Sequence, residues 1–263
     1  MKRFIALLLA LLLVFSLVAC NKDKGEEEEE GGFDMTVTTN DLIYKPESQY
    51  NDAFYYEYIN EDEVAILSFS ASHDVHAITI PDKIENRLVT EIKAGAFNSA
   101  SNISSVTLPE GLRVIGDFAF NNCIALTSIN FPSTLTEIGQ AAFASCIKLG
   151  SVALPDSVTK LGYAAFYGCK SLTGATVSHN VKELPAQVFM GCEKLVSVAW
   201  SDEGVKVGDY AFMGCAALTT VNFPAALTMI GAYAFADCAK LTSPTLAETV
   251  EIGENAFYVT PKA

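Results

Sequence analysis

Residues 108–128, LPEGLRVIGDFAFNNCIALTS, and residues 129–151, INFPSTLTEIGQAAFASCIKLGS, are two versions of one message. Displaced by 23 residues, Leu112 falls on Leu135, Ile115 on Ile138, Gly116 on Gly139, Phe120 on Phe143, Cys123 on Cys146 and Leu126 on Leu149. A fixed period of this size is the mark of a chain that coils into stacked, near-identical turns, a solenoid.

Working outward, the period holds for eight copies. The anchoring Phe stands at 97, 120, 143, 166, 189, 212, 235 and 257. The aliphatic before it is Ile92, Ile115, Ile138, Leu161, Leu184, Val207, Ile230 and Ile252, and the closing apolar residue runs from Ile103 to Leu241. At each join the letters alternate, as in Leu126-Thr-Ser-Ile129-Asn-Phe131-Pro132. That alternation predicts one short parallel strand per turn, with Leu126, Ile129 and Phe131 inward and Ser128 and Asn130 outward. The Gly that follows the aliphatic, as at Gly116 and Gly231, predicts a bend into one short helical segment through the Ala-Phe residues. A small residue before each Phe (Ala96, Ala119, Ala142, Ala165, Ala211, Ala234 and Ala256, with Val188 the exception) allows close stacking.

No copy folds alone. Burying one large apolar side chain is worth roughly 1.5–3 kcal/mol, whereas ordering the backbone costs about 1–2 kcal/mol per residue. Only faces shared between neighbouring turns recover the balance.

The repeating unit V-x-L-P-x-x-L-x-x-I-G-x-x-A-F-x-x-C-x-x-L-x-S resembles the BspA-like subclass of bacterial leucine-rich repeats over residues 78–263. The resemblance implies a leucine-rich-repeat solenoid of eight rungs, each a short strand plus a short helical turn of about 23 residues, closed by an N-terminal β-rich cap. There are departures. The position of the usual Asn ladder holds Gly111, Thr134, Ser157, Asn180, Glu203 and Ala226, so no such ladder is expected. The first copy carries five extra residues between Ile80 and Ile92. Copies four and five replace the repeat's Pro with Ser178 and Ser201, and Pro185 stands where Gly is usual. Pro244 enters the final strand of the alternating series and denies it an amide donor, which blunts that edge.

Cys123, Cys146, Cys169, Cys192, Cys215 and Cys238 form a column of their own. Six cysteines outside the cytoplasm suggest disulfides, and stacked rungs bring Cα atoms within bonding range. Yet equivalent residues point the same way, and Ala100 fills the first slot. Buried free thiols acting as small hydrophobes are the favoured reading. The absence of any C-x-x-C pair speaks against tetrathiolate zinc.

Upstream of the repeats, Lys2 and Arg3 precede an apolar run, Phe4 to Ala19, which is short for a membrane span and suits a signal peptide over residues 1–19. Leu17-Val18-Ala19-Cys20 resembles a bacterial lipobox, which implies cleavage before Cys20 and a lipid on that residue. Asn21 to Gly32, with five consecutive Glu, reads as a flexible acidic linker that completes a segment 20–32. Residues 33–77 lack the period and supply the cap, with an aromatic cluster at Phe54, Tyr55, Tyr56 and Tyr58 and a strand over Glu63–Phe69. His73, Asp74 and His76 also lie there, but two imidazoles and one carboxylate on a polar turn do not make a metal site.

The chain has 31 acidic and 17 basic residues, a net charge of −14. That excess disfavours nucleic acid, whose phosphates need clustered Lys and Arg. No cofactor motif or catalytic constellation is present: three His, no G-x-S-x-G, no phosphate-binding loop and no H-E-x-x-H. Binding therefore falls to the surface. The outward strand positions, from Ser105 and Thr107 to Ser243 and Thr245, are small and uncharged, poor anchors beside Tyr, Trp or Arg. The other edge carries Phe118, Tyr163, Tyr167, Met190, Tyr210, Met213, Tyr233 and Tyr258. These residues either anchor a partner or serve as half-buried packing between rungs. The expectation is a bacterial cell-surface lipoprotein, held to the membrane through Cys20, that binds an extracellular or host protein or a glycan without catalysis. The resemblance implies an adhesin-like role, and the alternative is a structural component of the cell envelope.

Overall fold

The computed structural model describes residues 54–69, 75–201, 203–242 and 244–259. The signal segment, Cys20, the acidic linker, residues 33–53 of the cap, His73 and Asp74 lie outside the described residues.

The described chain begins with β1 (Phe54–Tyr58) and β2 (Glu63–Phe69), an antiparallel pair. β3 (Ala77–Thr79) and the hairpin of β4 (Lys83–Ile84) with β5 (Arg87–Ile92) follow. The extra residues of the first copy make this hairpin, whose two-residue turn places Glu85 and Asn86 at φ 48° and 68°, the left-handed pair such a turn demands. β2 lies parallel to β5, with a register shift between Val64 and Ala65. Val64, Ala65 and Ile66 are all buried, so the simple alternation expected of this strand is lost at the irregularity.

From there each turn contributes a strand to two columns, not the single strand that the alternation predicted. One column holds β3, β6 (Ser105–Thr107) and β8 (Ser128–Ile129), then β10 (Ser151–Ala153), β12 (Gly174–Thr176), β14 (Ser197–Ala199) and β16 (Thr220–Val221). The other runs from β5 through β7 (Val114–Ile115), β9 (Glu137–Ile138) and β11 (Lys160–Leu161). It resumes with β13 (Glu183–Leu184), β15 (Lys206–Val207), β17 (Met229–Ile230) and β18 (Glu251–Ile252). All pairings between successive rungs within the columns are parallel, in a register of 23 residues over most of their length.

Each column is interrupted once. β11 and β13 do not pair. Elsewhere the Gly of the repeat donates its N–H to the rung before, as Gly162 does to Ile138 O at 2.8 Å and Gly208 to Leu184 O at 2.8 Å; Pro185 has no N–H to give. β8 and β10 do not pair either. One rung earlier, between β6 and β8, the Asn130 side chain takes the backbone's part, its Oδ1 accepting the Leu108 N–H at 2.8 Å. The alternating column ends at β16, and no strand is present at 244–246, as expected from Pro244.

The third side of each turn corrects the sequence reading outright: the described residues contain no helix. Two left-handed residues four apart break every Ala-Phe segment. Phe118, Ala141, Ala164, Gln187, Tyr210 and Tyr233 have φ between 49° and 58°, and Asn122, Ser145, Gly168, Gly191, Gly214 and Asp237 lie between 59° and 75°. A right-handed helix does not run through such positions. Alternate amides instead bond to the next rung, Phe118 N–H to Gln140 O at 2.8 Å, Phe120 to Ala142 at 2.7 Å and Asn122 to Ala144 at 2.7 Å. Those between them close i→i−3 turns, such as Asn121 N–H to Phe118 O at 3.0 Å. The result is a third ladder built of turns.

The core is columnar. Rings from Phe97 to Phe257 stack in one file with centroids 4.8–5.7 Å apart. The widest gap, 5.7 Å, lies between Phe166 and Phe189, where Pro185 and the larger Val188 separate the rungs. The repeat's Gly serves closeness more than bending: a Cβ on Gly162 would sit 2.3 Å from the Gly139 carbonyl carbon. The six column cysteines are free and buried, and each has a polar task beyond filling space. Cys146 Sγ donates to Phe120 O at 3.1 Å and Cys169 Sγ to Phe143 O at 3.2 Å, with the same bond at the other four rungs. Ala100 fills this slot in the first copy. The Asn ladder is absent, and hydroxyls fill part of its role: Thr134 Oγ1 donates to Leu112 O at 2.8 Å and Ser157 Oγ to Leu135 O at 2.6 Å.

Candidate functional site

The aromatic and Met residues all fall on the turn side, in three registers of the ladder. Phe118, Tyr210 and Tyr233 occupy the first left-handed position, with φ of 56°, 58° and 55°. Three residues further on lie Tyr167, Met190, Met213 and Tyr258, one per rung. Tyr163 stands one residue before the left-handed position of its own rung.

The register brings most of them together and leaves one apart. Tyr167, Met190 and Met213 make a continuous file on three successive rungs. Tyr210 and Tyr233 are stacked face to face, centroids 5.3 Å apart and planes within 2°. Tyr258 continues the file of Met213 after one gap, at Ala236. Phe118 is remote from Tyr210, with Ala141, Ala164 and Gln187 between them in the same register. Tyr163 is 37% exposed and Tyr258 58%; the other six are half-buried. The partial burial of these six agrees with packing between rungs, and Tyr163 and Tyr258 face solvent.

Electrostatics add what the hydrophobic pattern did not reveal. The Tyr210 hydroxyl titrates above its ordinary range because of burial, then the neighbouring Tyr233, and then the carboxylates of Asp209 and Glu254. Asp209 is held by its Oδ1, which accepts the Ala232 N–H at 2.8 Å, and Asn255 Nδ2 donates to the Tyr233 hydroxyl at 2.8 Å. The tyrosine pair therefore sits in an acidic frame built from non-repeating letters. The cue in the sequence was Asp209 next to Tyr210; Glu254 joins them only through the register of the rungs.

The two strand sides differ. Outward positions of the alternating column are Ser151, Ala153, Thr176, Ser197, Ala199 and Thr220, small and exposed. The other column carries rung-to-rung ion pairs, Lys160–Glu137 at 2.9 Å and Lys206–Glu183 at 3.3 Å. Arg113 reaches back to grip Glu63 of β2 through two 2.7 Å bonds. Asp156 and His179 form an exposed pair at 2.8 Å, and that contact holds the Asp156 carboxyl below its usual range. Among the described residues no cluster of His, Cys, Asp and Glu is placed to hold a metal ion.

Stacked parallel strands in a short repeat, an internal Phe spine and a surface that varies from rung to rung define a leucine-rich-repeat solenoid. The family model for the BspA-type leucine-rich repeat region matches residues 62–196 and 182–262, in six copies, and the chain belongs to that family. It is similar to a leucine-rich repeat protein from Bacteroides ovatus, 23% identical, with 79% of this chain and 67% of that one covered and a TM-score of 0.58. It is also similar to a leucine-rich repeat protein of T. pallidum, 28% identical, with 63% of this chain and 87% of that one covered and a TM-score of 0.52. No curated protein matches.

Proposed function

We propose that the protein is a lipid-anchored binding module of a bacterial cell surface, tethered through Cys20, that recognises an extracellular protein or glycan and carries out no chemistry. In this reading residues 1–19 are removed, residues 20–32 space the module from the membrane, and residues 33–77 cap the repeats of 78–263. The observation that supports it most is the segregation of side chains. The interior letters repeat almost without change, whereas Tyr163, Tyr167, Met190, Tyr210, Met213, Tyr233 and Tyr258 gather on one side of the later rungs. Tyr is among the residues that dominate contact energetics, and Ser, Thr and Ala are not.

Between the two ligand classes, geometry favours protein. Sugars stack on open ring faces, but Tyr210 and Tyr233 turn one face of each ring on the other, with the Asp209 and Glu254 carboxylates beside them. The test is binding of the purified chain to a panel of extracellular matrix proteins and glycans. A protein ligand whose affinity falls at least about tenfold, about 1.4 kcal/mol, in a Tyr210→Ala, Tyr233→Ala double variant supports the proposal. No binding anywhere on the panel favours the structural role in the envelope.

A further inference from the structure

We infer that the corner between the turn ladder and the alternating column is a second docking surface, one that takes an extended acidic protein segment bearing aliphatic side chains. The corner follows each column cysteine. On five successive rungs it reads Ile124-Ala-Leu-Thr-Ser128, Ile147-Lys-Leu-Gly-Ser151, Lys170-Ser-Leu-Thr-Gly174, Glu193-Lys-Leu-Val-Ser197 and Ala216-Ala-Leu-Thr-Thr220. The central Leu is buried throughout and serves the core. The residues around it do not repeat, so the fold does not ask for them. Ile124 and Ile147 are 38% and 37% exposed in a register that elsewhere takes Lys, Glu or Ala, and Val196 is 45% exposed in one that elsewhere takes Thr or Gly. Lys148 and Lys194, both exposed, stand where the neighbouring rungs have Ala125, Ser171 and Ala217.

Charge sets this corner apart from the rest of the repeats. Residues 67–263 hold 17 acids against 12 bases, yet Glu193 is the one acid in the five segments, and Lys170 holds it at 2.9 Å. The backbone adds donors on the lysine rungs. The Ser171 and Ala217 amides reach Ile147 O and Glu193 O of the preceding rung, each at 3.1 Å, whereas those of Lys148 and Lys194 have no acceptor among the described residues. Ammonium and amide donors thus stand together on the third and fifth rungs, roughly 10 Å apart at the spacing of adjacent strands, and Lys240 continues the register. Such donors call for carboxylates and carbonyls, and the exposed aliphatics beside them call for apolar cover. An acidic polypeptide with aliphatic side chains meets both demands. A sulfated glycan would use the lysines and leave Ile124, Ile147 and Val196 bare. An anionic membrane would gain about 1 kcal/mol per lysine, but the net charge of −14 opposes its approach. Lysines at such a surface steer and select the partner, and the aliphatic area holds it. This inference does not depend on which ligand the tyrosine surface takes.

The experiment titrates the full chain, under reducing conditions, into a fluorescent octapeptide of alternating glutamate and leucine, with anisotropy as the readout. Extended, the peptide spans roughly 27 Å, enough to run from Lys148 to Lys240, four rungs or roughly 20 Å. The expected result is saturable binding that weakens at least about tenfold in Lys148→Glu, Lys194→Glu and, separately, in Ile124→Ser, Ile147→Ser. All four side chains are exposed, so unfolding midpoints are expected to stay at the parent value. Tyr210→Ala, Tyr233→Ala is expected to bind the octapeptide like the parent, which keeps this test separate from that of the tyrosine surface. The inference is overturned if the octapeptide does not bind, if either corner pair leaves its affinity unchanged, or if the tyrosine pair abolishes binding. Octaglutamate bound as tightly as the alternating peptide overturns it as well. So does tighter binding of heparin, or of vesicles of phosphatidylserine and phosphatidylcholine.

Discussion

At Cys169 a thiol with no exposure donates to Phe143 O, and burial pushes its pKa from 9.0 up to about 12. The consequence for stability has a definite sign. Between those values the unfolded chain has lost the proton and the folded chain keeps it, so the folded state is favoured fully below pH 9 and progressively less above it. Cys192 and Cys215 are raised by burial in the same direction, so unfolding midpoints are expected to fall steeply in alkali. Cys169→Ala should flatten that slope by about one proton while costing little at neutral pH, as read from denaturant midpoints across the alkaline range. Thiol titration after denaturation without reductant should find these six column cysteines free; a loss in pairs would mean disulfides. Gly162 is the second sensitive residue. The backbone of the preceding rung occupies the place of its Cβ, so Gly162→Ala should destabilise by about 1–3 kcal/mol, whereas Gly174→Ala, with nothing within 4 Å, should be near neutral by the same denaturation assay.

Among the elements, the Phe spine carries the stacking. Phe166 is buried between Phe143 and Phe189, at 5.4 and 5.7 Å. Phe166→Ala should cost about 3–5 kcal/mol and expose neighbouring rungs first, which urea denaturation with exchange-protected amides on either side would register. Because the strand column already breaks at Pro185, opening is expected to begin between β11 and β13. The spine, the cysteine file and the alternating strands were legible because each is one residue type at a constant interval. The second strand column was not, since strands of two residues such as Glu137–Ile138 are too short to show an alternation. The turn ladder was hidden for another reason. Left-handed backbone at Phe118, Ala141 and Tyr210 is imposed by bonds to the next rung, and those residue types do not announce it. Gly168, Gly191 and Gly214 at the second left-handed position were the available cue against a helix.

For the molecule as a whole, acidity is uneven: residues 21–66 hold 14 acids and 3 bases, against 17 and 12 in residues 67–263. The repeats are thus only mildly negative, and their recognition rests on local features such as Asp209 and Glu254 beside Tyr210. The candidate residues were legible as an unusual run of Tyr and Met, but their assembly into files required the ladder's register, and the isolation of Phe118 followed from it. If the interior specifies the fold and the non-repeating letters of the turn side specify binding, the two properties must separate under mutation. The most direct measurement compares Tyr210→Ala, Tyr233→Ala with a pair on the flat strand side, Thr176→Lys, Thr220→Lys, for both ligand affinity and unfolding midpoint. The account predicts that the tyrosine pair loses at least about tenfold in affinity, about 1.4 kcal/mol, that the threonine pair keeps it, and that both remain folded. Loss of binding in the threonine pair with full affinity in the tyrosine pair would contradict it.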